Sequence, residues 1–176
     1  MNVLNVLKSS VVAGICIGIA GIGFLATRDI IGSVLFAFAL LSVVAYKLYL
    51  YTGTAGFIKK GELPLLLLVF AGNIAGCLLM SLLARLSPMP LQESAQNILE
   101  GRLAMGPLHG GLLSIACGFI MTTAVTFARK GNNFPLLFGV PLFITCGYPH
   151  CMADAFFYLC VPLDFWMANL GSILGF

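Results

Sequence analysis

Long apolar runs, separated only by short polar joints, decide what this chain can fold into. Residues 9–26, 30–51, 63–86 and 106–128 each approach or exceed the roughly 20 apolar residues that carry a helix across a bilayer. A fifth run starts near residue 134 and is interrupted around Cys146-Gly147-Tyr148-Pro149, and a last apolar segment covers 163–176. Of the 176 residues, 60% are hydrophobic and 9% charged, against about 25% charged in a soluble domain. Water cannot solvate that much apolar surface at this length. In lipid every backbone polar group must be satisfied internally, so the expectation is an all-α membrane protein. It forms one transmembrane domain, 1–176, with a first unit at about 9–86 and a second at about 106–176.

The polar stretch 87–102, with Pro88, Pro90, Glu93 and Glu100, reads as a connection whose 92–102 part forms a short surface helix. The net charge of +3 is small and scattered, which excludes nucleic acid as a partner. The six cysteines, Cys16, Cys77, Cys117, Cys146, Cys151 and Cys160, lie in apolar segments without CxxC or zinc spacing. They read as small core hydrophobes, and neither metal nor cofactor is expected. The chain has no G-x-S-x-G, HExxH or P-loop, so an enzyme is not expected. The N-terminal run lacks an A-x-A cleavage site, and its Gly14, Gly18, Gly21 and Gly23 suit helix packing better than a signal peptide.

Basic residues set the orientation. Lys8, Lys59, Lys60, Arg129 and Lys130 fall on one face if every span crosses, whereas Arg28, Arg85 and Arg102 on the other are offset by Asp29, Glu93, Glu100 and Asp164. The expectation is a multi-pass protein of the inner (plasma) membrane with a cytoplasmic N-terminus.

The two units correspond at an offset of about 97 to 99 residues. Gly14 matches Gly111, the break at Thr52-Gly53 matches that at Pro149-His150, and Gly72-Asn73-x-x-Gly76 matches Gly171-Ser172-x-x-Gly175. Three spans per unit is an odd number, so the units insert in opposite directions, as in many transporters. Backbone groups left unpaired at membrane depth cost several kcal/mol each unless they face protein or a water-filled cavity. A matched pair of breaks in the second and fifth spans therefore points to a permeation path; the alternative is two kinks that re-pair inside the bundle. The last segment, 163–176, would span about 21 Å as a helix, short of a hydrocarbon core of about 30 Å. The sixth helix is accordingly expected to be truncated relative to the third.

His150 carries the most chemical information. It is an ionisable group beside a break in an apolar run, a functional hypothesis by default at membrane depth, and it changes charge near neutral pH. Asp154, four residues on, shares its helical face and either orients the imidazole or caps a half-helix. Thr52 stands at the first break, where its hydroxyl either donates to an anion or satisfies local backbone. Phe36, Leu40, Leu50 and Phe143 are candidate apolar constrictions, although such spacing also suits plain packing. Lys47, inside the second span, snorkels or pairs. His109 and Arg102 read as interfacial residues near the outer end of the fourth span.

These residues resemble a known family. Residues 147–157, from Gly147-Tyr148-Pro149-His150 to Phe157, resemble the signature GFEHSxANMFF of the formate/nitrite transporters. Leu50-Tyr51-Thr52-Gly53-Thr54 is similar to the family's LFTGN stretch, and Gly72-Asn73-Ile74-Ala75-Gly76 to its GNxxG. The first and fourth spans are similar as well, so the resemblance covers nearly the whole chain in order. It implies an aquaporin-like six-helix bundle of two inverted three-helix repeats, with broken second and fifth helices. It also implies a homopentamer with one pore per subunit, moving small monovalent anions such as formate, nitrite or hydrosulfide. The central histidine would be His150, the pore threonine Thr52, and Ser114 would stand at the fourth-helix asparagine. Cys117 would join Phe36, Leu40, Leu50 and Phe143 in two slits. The chain departs from the signature at Pro149, in place of Glu, and at Asp154 and Ser114, each in place of Asn.

The expected function is transmembrane passage of such an anion past His150, as a channel or with a coupled proton. Two rival readings remain at this level: a neutral-solute channel with the same repeat plan, and a non-conducting membrane paralogue.

Overall fold

The computed structural model describes residues 2–174, Leu174 by its backbone alone. Among the described residues the regular structure is all α-helix, without strands. The helices are α1 (Val3–Thr27), α2 (Ile30–Ala45), α3 (Tyr51–Ala55), α4 (Leu63–Ala84), α5 (Leu91–Met105), α6 (Pro107–Arg129), α7 (Phe134–Thr145), α8 (Cys151–Cys160) and α9 (Leu163–Leu174). Of these, α1, α4 and α6 are each long and apolar enough to cross a membrane. The shorter α2 and α3, and likewise α7 and α8, follow one another as halves of two broken crossings.

Capping explains where the first elements start and stop. Asn2 accepts from the backbone N–H of Leu4 at 3.0 Å to open α1. At its end Arg28 turns left-handed, φ 56°, and its N–H returns to the Phe24 carbonyl. Asp29 then accepts from Gly32 N–H at 2.8 Å and opens α2. The first span begins at Val3, not near residue 9: the amphipathic turn before Ser9 simply continues the helix.

α1 and α4 pack closely because small residues meet at their crossing. A Cβ on Gly14 would lie 2.1 Å from the Asn73 carbonyl oxygen, and one on Gly76 2.2 Å from that of Val11. Gly111, the sequence counterpart of Gly14 on α6, has nothing within 4 Å of the same position. The α9 segment packs against α5 and its 12 residues rise about 18 Å. The match involving Gly175, and the end at Phe176, lie outside the described residues.

Two expectations need correction. The first break does not fall at Thr52-Gly53. α2 stops at Ala45, the chain runs irregularly through 46–50, and Thr52 is the second residue of the half-helix α3. The breaks therefore repeat at an offset of 100. Lys47 and Gly147 both take positive φ, 53° and 68°. Their N–H groups reach the carbonyls of Val44 and Ile144, and those of Leu48 and Tyr148 reach Val43 and Phe143. Leu50 and His150 are the extended N-cap residues of α3 and α8. The positional counterpart of His150 is thus Leu50, not Thr52. Sequence placed the break at Thr52-Gly53 because Gly is the usual breaker, but a non-glycine residue, Lys47, makes the left-handed turn.

The second correction concerns the connection. α5 starts at Leu91 and buries Leu91, Ala95 and Leu99, spaced four apart on one face, against the bundle. It packs on α8, α1 and α6 and is not a helix lying on the surface.

Candidate functional site

The site is built on the two breaks, where the helical ladder fails and other groups must pair with the backbone. At the first break this falls to Asn73, fully buried on α4. Its Oδ1 accepts from Tyr51 N–H at 2.7 Å, and its Nδ2 donates to the carbonyls of Ser10 (2.8 Å) and Tyr49 (3.0 Å). Ser9 Oγ accepts from Tyr49 N–H at 3.1 Å. Thr54 turns inward on its own helix, donating to the Leu50 carbonyl at 2.7 Å.

The second break is held differently. Arg102 of α5 donates through one terminal nitrogen to the Gly147 carbonyl and through the other to that of Tyr148, at 3.3 Å. Its Nε lies 3.5 Å from Asp154 Oδ1, each side chain 15% exposed. The other oxygen of Asp154 accepts from the backbone N–H of His150 at 3.1 Å. Asp154 therefore caps α8 and pairs with Arg102; it bonds the backbone of His150, not its ring. Arg102, expected at the interface, turns out to be structural to the site. Sequence held one signal for it: Arg102 continues the buried stripe Leu91, Ala95, Leu99 at a further three residues.

His150 is 3% exposed. Its Nδ1 accepts from Ala153 N–H at 3.3 Å, which in the neutral ring leaves the proton on Nε2. The ring stacks on Phe143 with centroids 5.0 Å apart and planes 17° apart. Nε2 is buried and has no hydrogen-bond partner among the described residues, and the same holds for Oγ1 of Thr52. Leaving a buried polar group unpaired costs about 1–3 kcal/mol. Both residues line one recess of about 430 Å³ between α3, α6 and α8, together with Ser114, Cys117 and Asp154, whose Oδ1 also lacks a hydrogen bond and faces Arg102 Nε. Ser114 spends its hydroxyl proton on its own helix, donating to the Gly110 carbonyl at 2.8 Å.

The apolar candidates separate into two groups. Phe36 and Phe143 line a cavity of about 240 Å³ that also reaches His150 and carries Arg28 and Arg102. Leu40 and Leu50 line a second, of about 500 Å³, with Lys47 and Arg129. All four are nearly or fully buried. Cys117 joins neither and stands with Thr52. Arg129 also donates to the Gly53 carbonyl at 3.2 Å and lies 3.7 Å above the Phe57 ring, so it ties the start of α3 to the end of α6. Lys47 is exposed. Among the described residues no cluster of His, Cys, Asp and Glu is arranged to hold a metal.

Comparison with known proteins bears on the family and the fold. The sequence profile of the family described as "Formate/nitrite transporter" matches residues 1–173. A solved structure described as "Pentameric formate channel with formate bound" superposes with a TM-score of 0.79 at 20% identity, covering 98% of this chain and 83% of that one. At that identity the likeness establishes the fold. No curated protein sequence matches the chain.

Proposed function

The chain belongs to the formate/nitrite transporter family, and we propose that it passes a small monovalent anion of the formate, nitrite or hydrosulfide kind across the inner (plasma) membrane. The observation that carries this reading is the pair of orphan groups in an apolar bundle, His150 Nε2 and Thr52 Oγ1, lining one recess. Both can donate to an oxyanion. Neither finds that role inside the protein.

The charges suit the same task. Arg28 stands at one cavity, Lys47 and Arg129 at the other, and basic residues at a mouth raise the local concentration of anions. Between the mouths, Phe36 with Phe143 and Leu40 with Leu50 present apolar surface that a bare anion crosses only at high cost. His150 lowers that cost in one of two ways. Nε2–H donates a hydrogen bond to the anion as it sheds water, or the ring, first protonated from one mouth to the imidazolium with Nδ1 released from Ala153 N–H, passes one proton to a weak-acid anion, which crosses as the neutral acid and leaves the ring neutral again. Phe143 of α7 stacks on the ring, while the Asp154 carboxylate of α8 holds the backbone N–H of His150 and pairs with the Arg102 guanidinium of α5. The N-terminus lies on the cytoplasmic side by the distribution of Lys and Arg. Assembly as a homopentamer follows the similar solved structure.

The test is flux of formate and of nitrite in proteoliposomes across a pH series. His150→Phe keeps ring volume and stacking and removes both routes, so it should abolish pH-linked uptake. Unchanged flux in that variant would defeat the proposal. Liposome shrinkage under a neutral-solute gradient, with no anion preference, would replace it by a neutral-solute channel.

A further inference from the structure

The two breaks have the same backbone but different supports. In break one, a single amide, Asn73, reaches across from α4. It donates to a carbonyl just before the N-cap (Tyr49) and accepts the first N–H of the half-helix (Tyr51). Its counterparts in the second unit cannot do this. By the Gly-x-x-x-Gly motif Asn73 corresponds to Ser172, and by the offset of the breaks to Ile173. Ser172 is exposed. Ile173 borders the Arg102–Asp154 pair and has no polar atom in its side chain.

We propose that the Arg102–Asp154 ion pair is the positioning device of the second break, replacing the missing third-helix amide and thereby fixing the imidazole of His150. The pair performs the same two tasks one residue earlier. Arg102 donates to the carbonyls of Gly147 and Tyr148, and Asp154 accepts the N–H of the N-cap residue, His150. A cation joined to an anion can divide donor and acceptor roles that a primary amide combines in one group. The pair also explains the aspartate: with an asparagine at 154 the guanidinium would be buried without a counter-charge, an arrangement that is strongly destabilising. The order of effect is then support, backbone, ring. Asp154 fixes the His150 N–H, the N-cap geometry brings Nδ1 onto Ala153 N–H, and that bond leaves Nε2–H as the donor turned toward the recess.

This deepens the transport reading and rests on it, so one readout must be independent of flux. That readout is the imidazole tautomer, followed by 15N-histidine NMR in reconstituted protein with His109→Asn, which leaves His150 as the sole histidine. The native pair should give one tautomer, protonated on Nε2. Arg102→Met and Asp154→Ala should each give mixed tautomers. Each should also lower maximal formate flux by about tenfold or more, against the roughly 100-fold that a 1 Å misplacement of a working group can cost. The double variant should be no worse than either single one, because both break one unit. Arg102→Lys keeps the charge but not the fork and should remain impaired, whereas Arg102→Gln with Asp154→Asn, neutral and still donor plus acceptor, should regain most of the flux. Native flux in Arg102→Lys would assign Arg102 to anion attraction and overturn the proposal. So would losses that multiply in the double variant, or a single Nε2 tautomer persisting in every variant. If His150→Phe conducts normally, the transport reading falls, and the tautomer measurements still decide the fate of the pair.

Discussion

Break one and break two show the same turn solved with different materials. The left-handed residue is Lys47 in one and Gly147 in the other. The N-cap is Leu50, which offers no side-chain bond, in one and His150, which caps through Nδ1, in the other. The support is an uncharged amide from within the unit in one and an ion pair between α5 and α8 in the other. Among the described residues the close crossing of α1 and α4 has no equal in the second unit, where nothing lies within 4 Å of a Cβ placed on Gly111 of α6. The first unit is therefore the packed scaffold. The second carries the group that can change its protonation, held by charges. On the proposed transport reading, a site that binds and releases an ion gains from donors that the fold positions but does not consume, and those proposed here lie on α3 and α8.

That contrast can be broken by substitution. The largest effect is expected from Asn73→Leu, which strips partners from the carbonyls of Ser10 and Tyr49 and the N–H of Tyr51 at once. At about 1–3 kcal/mol per buried orphan, the variant should fail to accumulate as folded protein in detergent, read by size-exclusion chromatography. Next come the matched glycines. Gly14→Ala should destabilise by about 2 kcal/mol or more through overpacking, whereas Gly111→Ala should melt within about 1 kcal/mol of the parent. Equal melting shifts for the two would remove the asymmetry between the units. The turn residues follow: Gly147→Ala should lose about 1–2 kcal/mol in the left-handed region, and Lys47→Gly, which relieves that strain, should lose nothing and gain a few tenths. The smallest change in stability is expected from Thr52→Val, compared with Thr54→Val. Thr52 Oγ1 bonds nothing among the described residues and Thr54 Oγ1 is tied to Leu50, so formate flux should fall in the first and stay near the parent in the second.

Much of the architecture was legible because its cause is local. A run of about 20 apolar residues spans a bilayer wherever it occurs, and Gly147 with Pro149 two residues on interrupts a helix by backbone sterics alone. The residue His150 stood out because an ionisable group in an apolar run is improbable without a role. Other parts were misjudged for the opposite reason. Thr52-Gly53 looked like the first break, but the turn is made at Lys47, whose unfavourable φ only the surrounding contacts can impose. Arg102 read as interfacial because it follows a polar stretch, and nothing near it in sequence shows that the carbonyls of Gly147 and Tyr148, 45 and 46 residues away, wait for a donor.

By itself, then, the sequence determined the solvent this protein lives in, the number and period of its helices, and the identity of the one imidazole at depth, because transfer from water and local backbone sterics are properties of neighbouring residues. Tertiary structure alone decided which polar atoms are spent and which are left over. Hydrogen bonds at a helix break are completed across the fold, so whether Asn73 or an Arg–Asp pair holds the backbone, and whether the Nε2 of His150 stays unpaired, depends on groups that meet only once the helices have packed.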